Sequence, residues 1–144
     1  NDSTAARNTV NVGTTSVPLL TIRNRRVRGE RPNQTDTHLL DASGITDSTK
    51  GAIIDIYRDA TLTGEIYQYV DKVNSTTEID ISATAFTGGT LIDSIVVGAG
   101  TGGEKNLETR RLVNITGGTI TLVGRVVSGS ASDVTGIIGY VEDI

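Results

Sequence analysis

The sequence has no cysteine, no methionine and no tryptophan, and only two prolines, one phenylalanine and four tyrosines. Without cysteine there are no disulfides, no thiolate metal sites and no cysteine nucleophile, so stability has to come from packing, hydrogen bonds or assembly. The shortage of aromatics weighs against sugar binding by ring stacking and against base stacking on single-stranded nucleic acid. A single histidine, His38, leaves a catalytic triad or a transition-metal centre without its usual partners, and reads as structural. No stretch reaches the roughly 18 apolar residues of a membrane helix, and the opening NDSTAARNTV lacks the apolar core of a signal peptide. The chain starts at Asn1 and not at methionine, as expected of a processed or excised piece. A net charge of −4 argues against holding nucleic acid by overall electrostatics.

What is abundant is small and β-branched. Valine and isoleucine dominate the apolar set, and such side chains pack well on a pleated sheet but lose rotamer freedom in a helix. At 144 residues the chain is the size of one domain with one core. Short alternating runs separated by Gly, Asn, Asp, Ser and Thr predict strands over 16–23, 37–42, 52–58, 65–71, 78–82, 90–97, 111–115, 119–127 and 134–143. Pro18 lacks a ladder donor, so the first of these is expected to begin at, or sit on, a sheet edge. Only 59–64 and 105–110 leave room for a helical turn. The polar residues 1–15 are expected to form an arm or linker, with Val10 and Val12 as a possible extra strand, and 16–144 to form a single β-sandwich domain.

Three patterns raise the question of chemistry. Gly98–Gly103, GAGTGG, satisfies the glycine spacing of a dinucleotide loop directly after an apolar strand. That motif needs a crossover helix and an acidic residue about 20 positions on. EKNLETRR is too short and polar for the first and ITLVGRVV lacks the second, so a glycine-rich hairpin loop is expected. The acids Asp55, Asp59, Glu65, Asp71, Glu78, Asp80 and Asp93 could in principle supply a hydrolytic pair, but read as solvent-facing strand and turn residues. Asp41, Ser43, Asp47 and Thr49 offer oxygen ligands without the spacing of a calcium loop. No cofactor or metal is therefore expected. Four N-x-S/T sequences, at Asn1, Asn33, Asn74 and Asn114, matter only in a secretory host.

The densest charge feature is Arg23, Arg25, Arg26, Arg28 and Arg31, five of the thirteen basic residues. Guanidinium groups pair bidentately with carboxylate and phosphate alike. With no interleaved aromatics, the cluster reads as a protein interface in preference to a nucleic-acid site; the alternative is ion pairing with Glu30, Asp36 or a neighbouring subunit.

The order of three segments resembles that of virion structural proteins of tailed bacteriophages. They are PLLTIRNRRVRGERPN from Pro18 to Asn33, STTEIDISATAFTGGTLIDS from Ser75 to Ser94, and GIIGYVEDI from Gly136 to Ile144. Where that pattern has tryptophan in the middle strand, this chain has Tyr67 and Tyr69. The resemblance implies an all-β fold, a jelly-roll-like antiparallel β-sandwich of about eight to nine strands, on the surface of a virus particle. It implies a capsid-surface decoration (cement) protein, a homotrimer that bridges other virion proteins, with no catalytic residues. The five arginines then become the expected subunit or shell contacts, and the N-terminal arm a docking strand. The competing expectation is a tail or fibre adhesin domain binding host surface glycan or protein through the loops at 45–51 and 98–103. An enzyme is the third.

Overall fold

The valine- and isoleucine-rich runs become strands throughout the described chain, and no helix occurs among the described residues. A computed structural model describes the backbone of residues 2–24, 27–28, 31–32, 36–46, 51–69, 77–98, 102–106, 113–114 and 118–143, and the side chains of 5–23, 42–46, 51–68, 77–98 and 118–140. In chain order the strands are β1 (Asp2–Val12), β2 (Val17–Asn24), β3 (Val27–Arg28), β4 (Arg31–Pro32), β5 (Asp36–Thr46), β6 (Ala52–Arg58), β7 (Thr61–Thr63) and β8 (Tyr67–Tyr69). They continue with β9 (Thr77–Asp80), β10 (Ala85–Thr87), β11 (Thr90–Val97), β12 (Gly102–Asn106), β13 (Val113–Asn114), β14 (Thr119–Val126) and β15 (Ser132–Asp143).

Two sheets carry the fold. One runs β1-β15-β5-β12, with β13 also on β5, and the other runs β11-β6-β14-β2-β9-β8. Every pairing is antiparallel. Eight strands form the frame, and numbering those alone along the chain gives the orders 1-8-3-6 and 2-7-4-5. That is the double Greek key of a jelly roll. The expected β-sandwich is thus present, with eleven strands in its two sheets where eight or nine were expected.

Several details differ from the sequence reading. Residues 2–12, expected as an arm, pair along their whole length with β15, from Asp2↔Glu142 to Val12↔Ser132. Ala6 and Val12 are buried, so this segment belongs to the core. β2 is not an edge strand, since it lies between β14 and β9. Pro18 is tolerated because β9 pairs only with Thr21–Asn24, and because the ladder to β14 is bulged between Leu122 and Val123. Residues 61–63, where a helical turn was possible, form β7, and 105–106 belong to β12.

The core is aliphatic, built from residues such as Leu20, Ile22, Ile54, Ile56, Ile120, Leu122 and Ile138, with Tyr140 as its one aromatic member. Glycines let the sheets close on it. A Cβ at Gly44 would lie 2.1 Å from Ile54 Cδ1 and 3.2 Å from the Thr135 carbonyl oxygen. Because Ile54 is itself fully buried, it cannot swing aside. Gly44→Val is expected to cost about 2 kcal/mol by overpacking, read as a lower urea midpoint at unchanged slope.

The six-stranded sheet has a third layer on its outer face. The two-stranded ladder β7–β10, with Leu62 opposite Phe86, sets the single phenylalanine against Tyr57 at a ring-centroid distance of 5.2 Å. Thr21 and Thr121, which alternation points away from the core, are nonetheless fully buried and share a 2.9 Å hydrogen bond.

Candidate functional site

The topology sorts the connections into two ends. At one end lie those between β1 and β2, β5 and β6, β11 and β12, and β14 and β15; there Val126 N donates to the Gly13 carbonyl and Val127 N to that of Gly51. At the other end the chain leaves β2 into the arginine-rich stretch, leaves β6 into 59–89, and enters β14. Asp59 closes that second end, its backbone N donating to the Thr119 carbonyl and its Oδ1 accepting from Thr119 N, both at 3.0 Å.

Arg23 stands at the second end of the six-stranded sheet and on its outer face, opposite Thr119 on one side and Glu78 on the other. Its Nε donates to Glu78 Oε1 at 3.3 Å and its Nη2 to Oε2 at 3.2 Å, a bidentate pair. The guanidinium carbon lies 3.6 Å from the centre of the Tyr67 ring. Cation–π stacking and the carboxylate fork together fix the plane of a side chain that remains 40% exposed. Arg23 is thus engaged within its own chain, by an acid 55 residues away that the sequence reading had not named as its partner. Arg28 and Arg31 occupy directly opposed positions in the two-residue ladder β3–β4. Arg25 and Arg26, and the side chains of Arg28 and Arg31, lie outside the described residues.

Burial pushes the Tyr67 hydroxyl up to about 12, with nearby Asp80, Glu65 and Glu78 acting in the same direction and Arg23 against it. A group that holds its proton more tightly in the folded state favours folding below its unfolded value near 10, and that contribution is lost as pH rises from about 10 to about 12. Phenolate absorbance is expected to show Tyr67 titrating late, and later still in Arg23→Ala.

Asp80 is the best-satisfied acid in this neighbourhood. Expected as a solvent-facing strand residue, it is 1% exposed. Its Oδ1 accepts from Ile66 N at 2.8 Å, Ser82 N at 3.0 Å and Ser82 Oγ at 2.9 Å, and its Oδ2 from Ala83 N at 3.2 Å. Glu78 and Asp80 therefore act as structural anchors, one clamped by a guanidinium and one by backbone amides. Asp55 accepts from Ser94 Oγ across the β6–β11 pair.

The remaining candidates are scattered. His38 lies in β5 opposite Asn114 and Val141, its side chain outside the described residues. The glycine motif is followed by strand β12, which pairs with β5 in the opposite sheet from β11. It is therefore a sheet-to-sheet connection and not the hairpin loop expected. Asp41 and Ser43 sit in the β5 ladder, not in a loop, and Asp47 and Thr49 lie outside the described residues. No cluster of metal-ligating side chains occurs among the described residues.

No protein-family model matches the chain, and no curated protein matches it. Among solved structures, a chain in the crystal structure of the T13 IBDV viral particle is similar at 12% identity and a TM-score of 0.21. The alignment covers 100% of this chain and 40% of that one, so this chain spans well under half of that protein's length. A likeness this slight carries no argument, and the fold rests on the strand order alone.

Proposed function

We propose that this chain is a non-enzymatic structural module of a virus particle, a capsid-surface decoration protein that assembles as a homotrimer and reinforces the shell. The observation that supports the reading is the jelly-roll strand order, an architecture of viral capsid and lectin domains. Fold alone hosts many functions, so the site argument has to come from the arginine-rich connection. That stretch leaves β2 beside the outer face of the widened sheet, where Arg23 is already oriented by Glu78 and Tyr67. Arg25, Arg26, Arg28 and Arg31 follow it directly and are the residues proposed to contact a neighbouring subunit or the shell.

Analytical ultracentrifugation of the purified chain, together with sedimentation on intact capsids, tests the reading. A trimer mass is expected, and Arg25→Glu/Arg28→Glu is expected to weaken capsid binding by about tenfold or more. A stable monomer whose behaviour is unchanged by the charge reversal would sink it.

A second reading has its own observation. Strand pairing brings Gly102 opposite Ile45 and Val97 opposite Ala52, so the strand ends that bound the connections at 45–51 and 98–103 lie at one end of the sandwich. Loops clustered on a rigid frame suit a tail or fibre adhesin that binds host glycan or protein. Glycan-array binding that disappears when the 98–103 loop is shortened would favour it over decoration.

A further inference from the structure

The two sheets differ in width, and the difference lies on one side. At the far side β11 lies against β12, so the sheets end together there; at the near side β1 lies against β2 and its sheet stops, while the other continues through β9 and β8. Among the described residues, two strands therefore overhang an edge of β1 that carries no partner strand. One position beyond the paired ends of β8 and β9, Ile66 and Ile81 are 65% and 49% exposed. The neighbouring Ile79 packs on the core, so the inner side of the overhang carries Ile66, Ile79 and Ile81, with Gln68 as its polar member opposite Ile79. Asn8 marks the floor of the step, its Nδ2 donating to the carbonyl of Leu19 at 3.0 Å and reaching that of Ile81 at 3.4 Å.

We infer that this step is a docking groove for one extended segment of a partner protein, which adds a strand to the free edge of β1 and lays alternate apolar side chains over Ile66 and Ile81. An antiparallel strand paired on one side directs every second N–H and C=O to the other, so β1 offers unpaired ladder groups to such a segment. The dimensions select the occupant. Two strands at about 4.8 Å spacing make a shelf roughly 10 Å wide, and four residues of β9 make it about 13 Å long. That is far less than the roughly 800 Å² per partner of a stable interface between folded proteins. A second copy of this chain is also blocked sterically. If it paired through its own β1, its β2 would need the place that β9 already holds. A lone strand fits where a sandwich does not. The inference names the kind of partner for the assembly role proposed above, and rests on that reading only for the partner's source.

The test uses the isotopically labelled chain and a capped peptide of about nine residues alternating valine with threonine or lysine, a length matched to β1. Peptide at saturation is expected to slow hydrogen exchange at alternate amides within Ala5–Val12 by about tenfold or more. Ile66→Asp/Ile81→Asp, at exposed positions, is expected to weaken peptide binding about tenfold. The same peptide N-methylated at every residue is expected not to bind. Unchanged exchange along β1, or equal affinity for the double variant, overturns the inference. Protection of β1 that rises with protein concentration in the absence of peptide assigns the edge to a second copy and overturns it too. Capsid sedimentation separates the two proposals. Capsid binding with no peptide protection leaves decoration standing without the groove, and peptide protection with no capsid binding does the reverse.

Discussion

Leu19→Ala is expected to destabilise the chain by about 4 kcal/mol, at the upper end of the range for buried leucines, and to lower Tm by about 15 °C. Leu19 is the extra residue at the bulge between the Leu20 and Pro18 positions of the β2–β14 ladder, and it is 1% exposed. The bulge turns its side chain between the sheets, where two glycines leave room for it. A Cβ on Gly124 would lie 2.9 Å from Leu19 Cδ1, and one on Gly136 would lie 3.1 Å from the same atom. Truncation therefore opens a void whose walls have no side chains of their own to fill it. A double-mutant cycle gives the sharper test. The three atoms nearest a Cβ on Gly124 all belong to Leu19, so Gly124→Ala is expected to destabilise in the parent and to be neutral or stabilising in Leu19→Ala. Equal effects in the two backgrounds would show that the glycine does not exist to admit the leucine.

The same bulge shows where sequence reasoning works and where it stops. AIIDIYR, bounded by Gly51 and Asp59, and TLIDSIVV, bounded by Gly89 and Gly98, have apolar runs with turn residues at both ends, and β6 and β11 begin and end where expected. β1 reads as an arm with an extra strand at Val10 and Val12 at most, because its inward positions are Ala6, Asn8, Val10 and Val12, a weak pattern with a polar residue in the middle. Its strand character is conferred by eleven consecutive partners on β15. β12, with the sequence GGEKN, has no alternation at all and is a strand only because β5 lies beside it. Pro18 read as an edge signal because one-dimensional reasoning cannot see that a neighbouring strand stops short of it.

The site was legible as residue types but not as pairs. Five clustered arginines stand out in any reading, whereas the acid that holds the first of them is 55 residues on and becomes its neighbour only through the β2–β9 register. Alternation in EIDIS correctly put Glu78 and Asp80 on one face. It could not distinguish a face in water from one covered by the chain's own β7–β10 ladder. Beside that ladder Gly89, at φ 84°, comes so near Ala60 that any Cβ there would lie 2.9 Å from the Ala60 Cα.

Asp80→Ala is expected to cost about 3 kcal/mol, because it strands three backbone amides that now converge on a single carboxylate, while the Ser82 hydroxyl keeps the Gly64 carbonyl as an acceptor. The donors are only partly buried, so water recovers some of them and the loss stays below that of a fully enclosed acid. Asp80→Asn keeps the shape and one acceptor oxygen. It also turns an amide toward the donors, so an intermediate loss is expected. The damage should be local before it is global. Asp80 joins the residue preceding β8 to the two residues at 82 and 83, and faces Thr21 of β2 on one side and Tyr67 of β8 on the other. Releasing it frees β8 from β9 at their common end, which removes the cover from Tyr67. Hydrogen exchange at Ile66, Ser82 and Ala83 is expected to accelerate under native conditions. The late-titrating tyrosine is expected to return toward 10 as water reaches it. If exchange at those amides is unchanged while overall stability falls, Asp80 holds the sheet and not the overhang. The apolar shelf beside β1 would then owe its shape to the Ile79 contact alone.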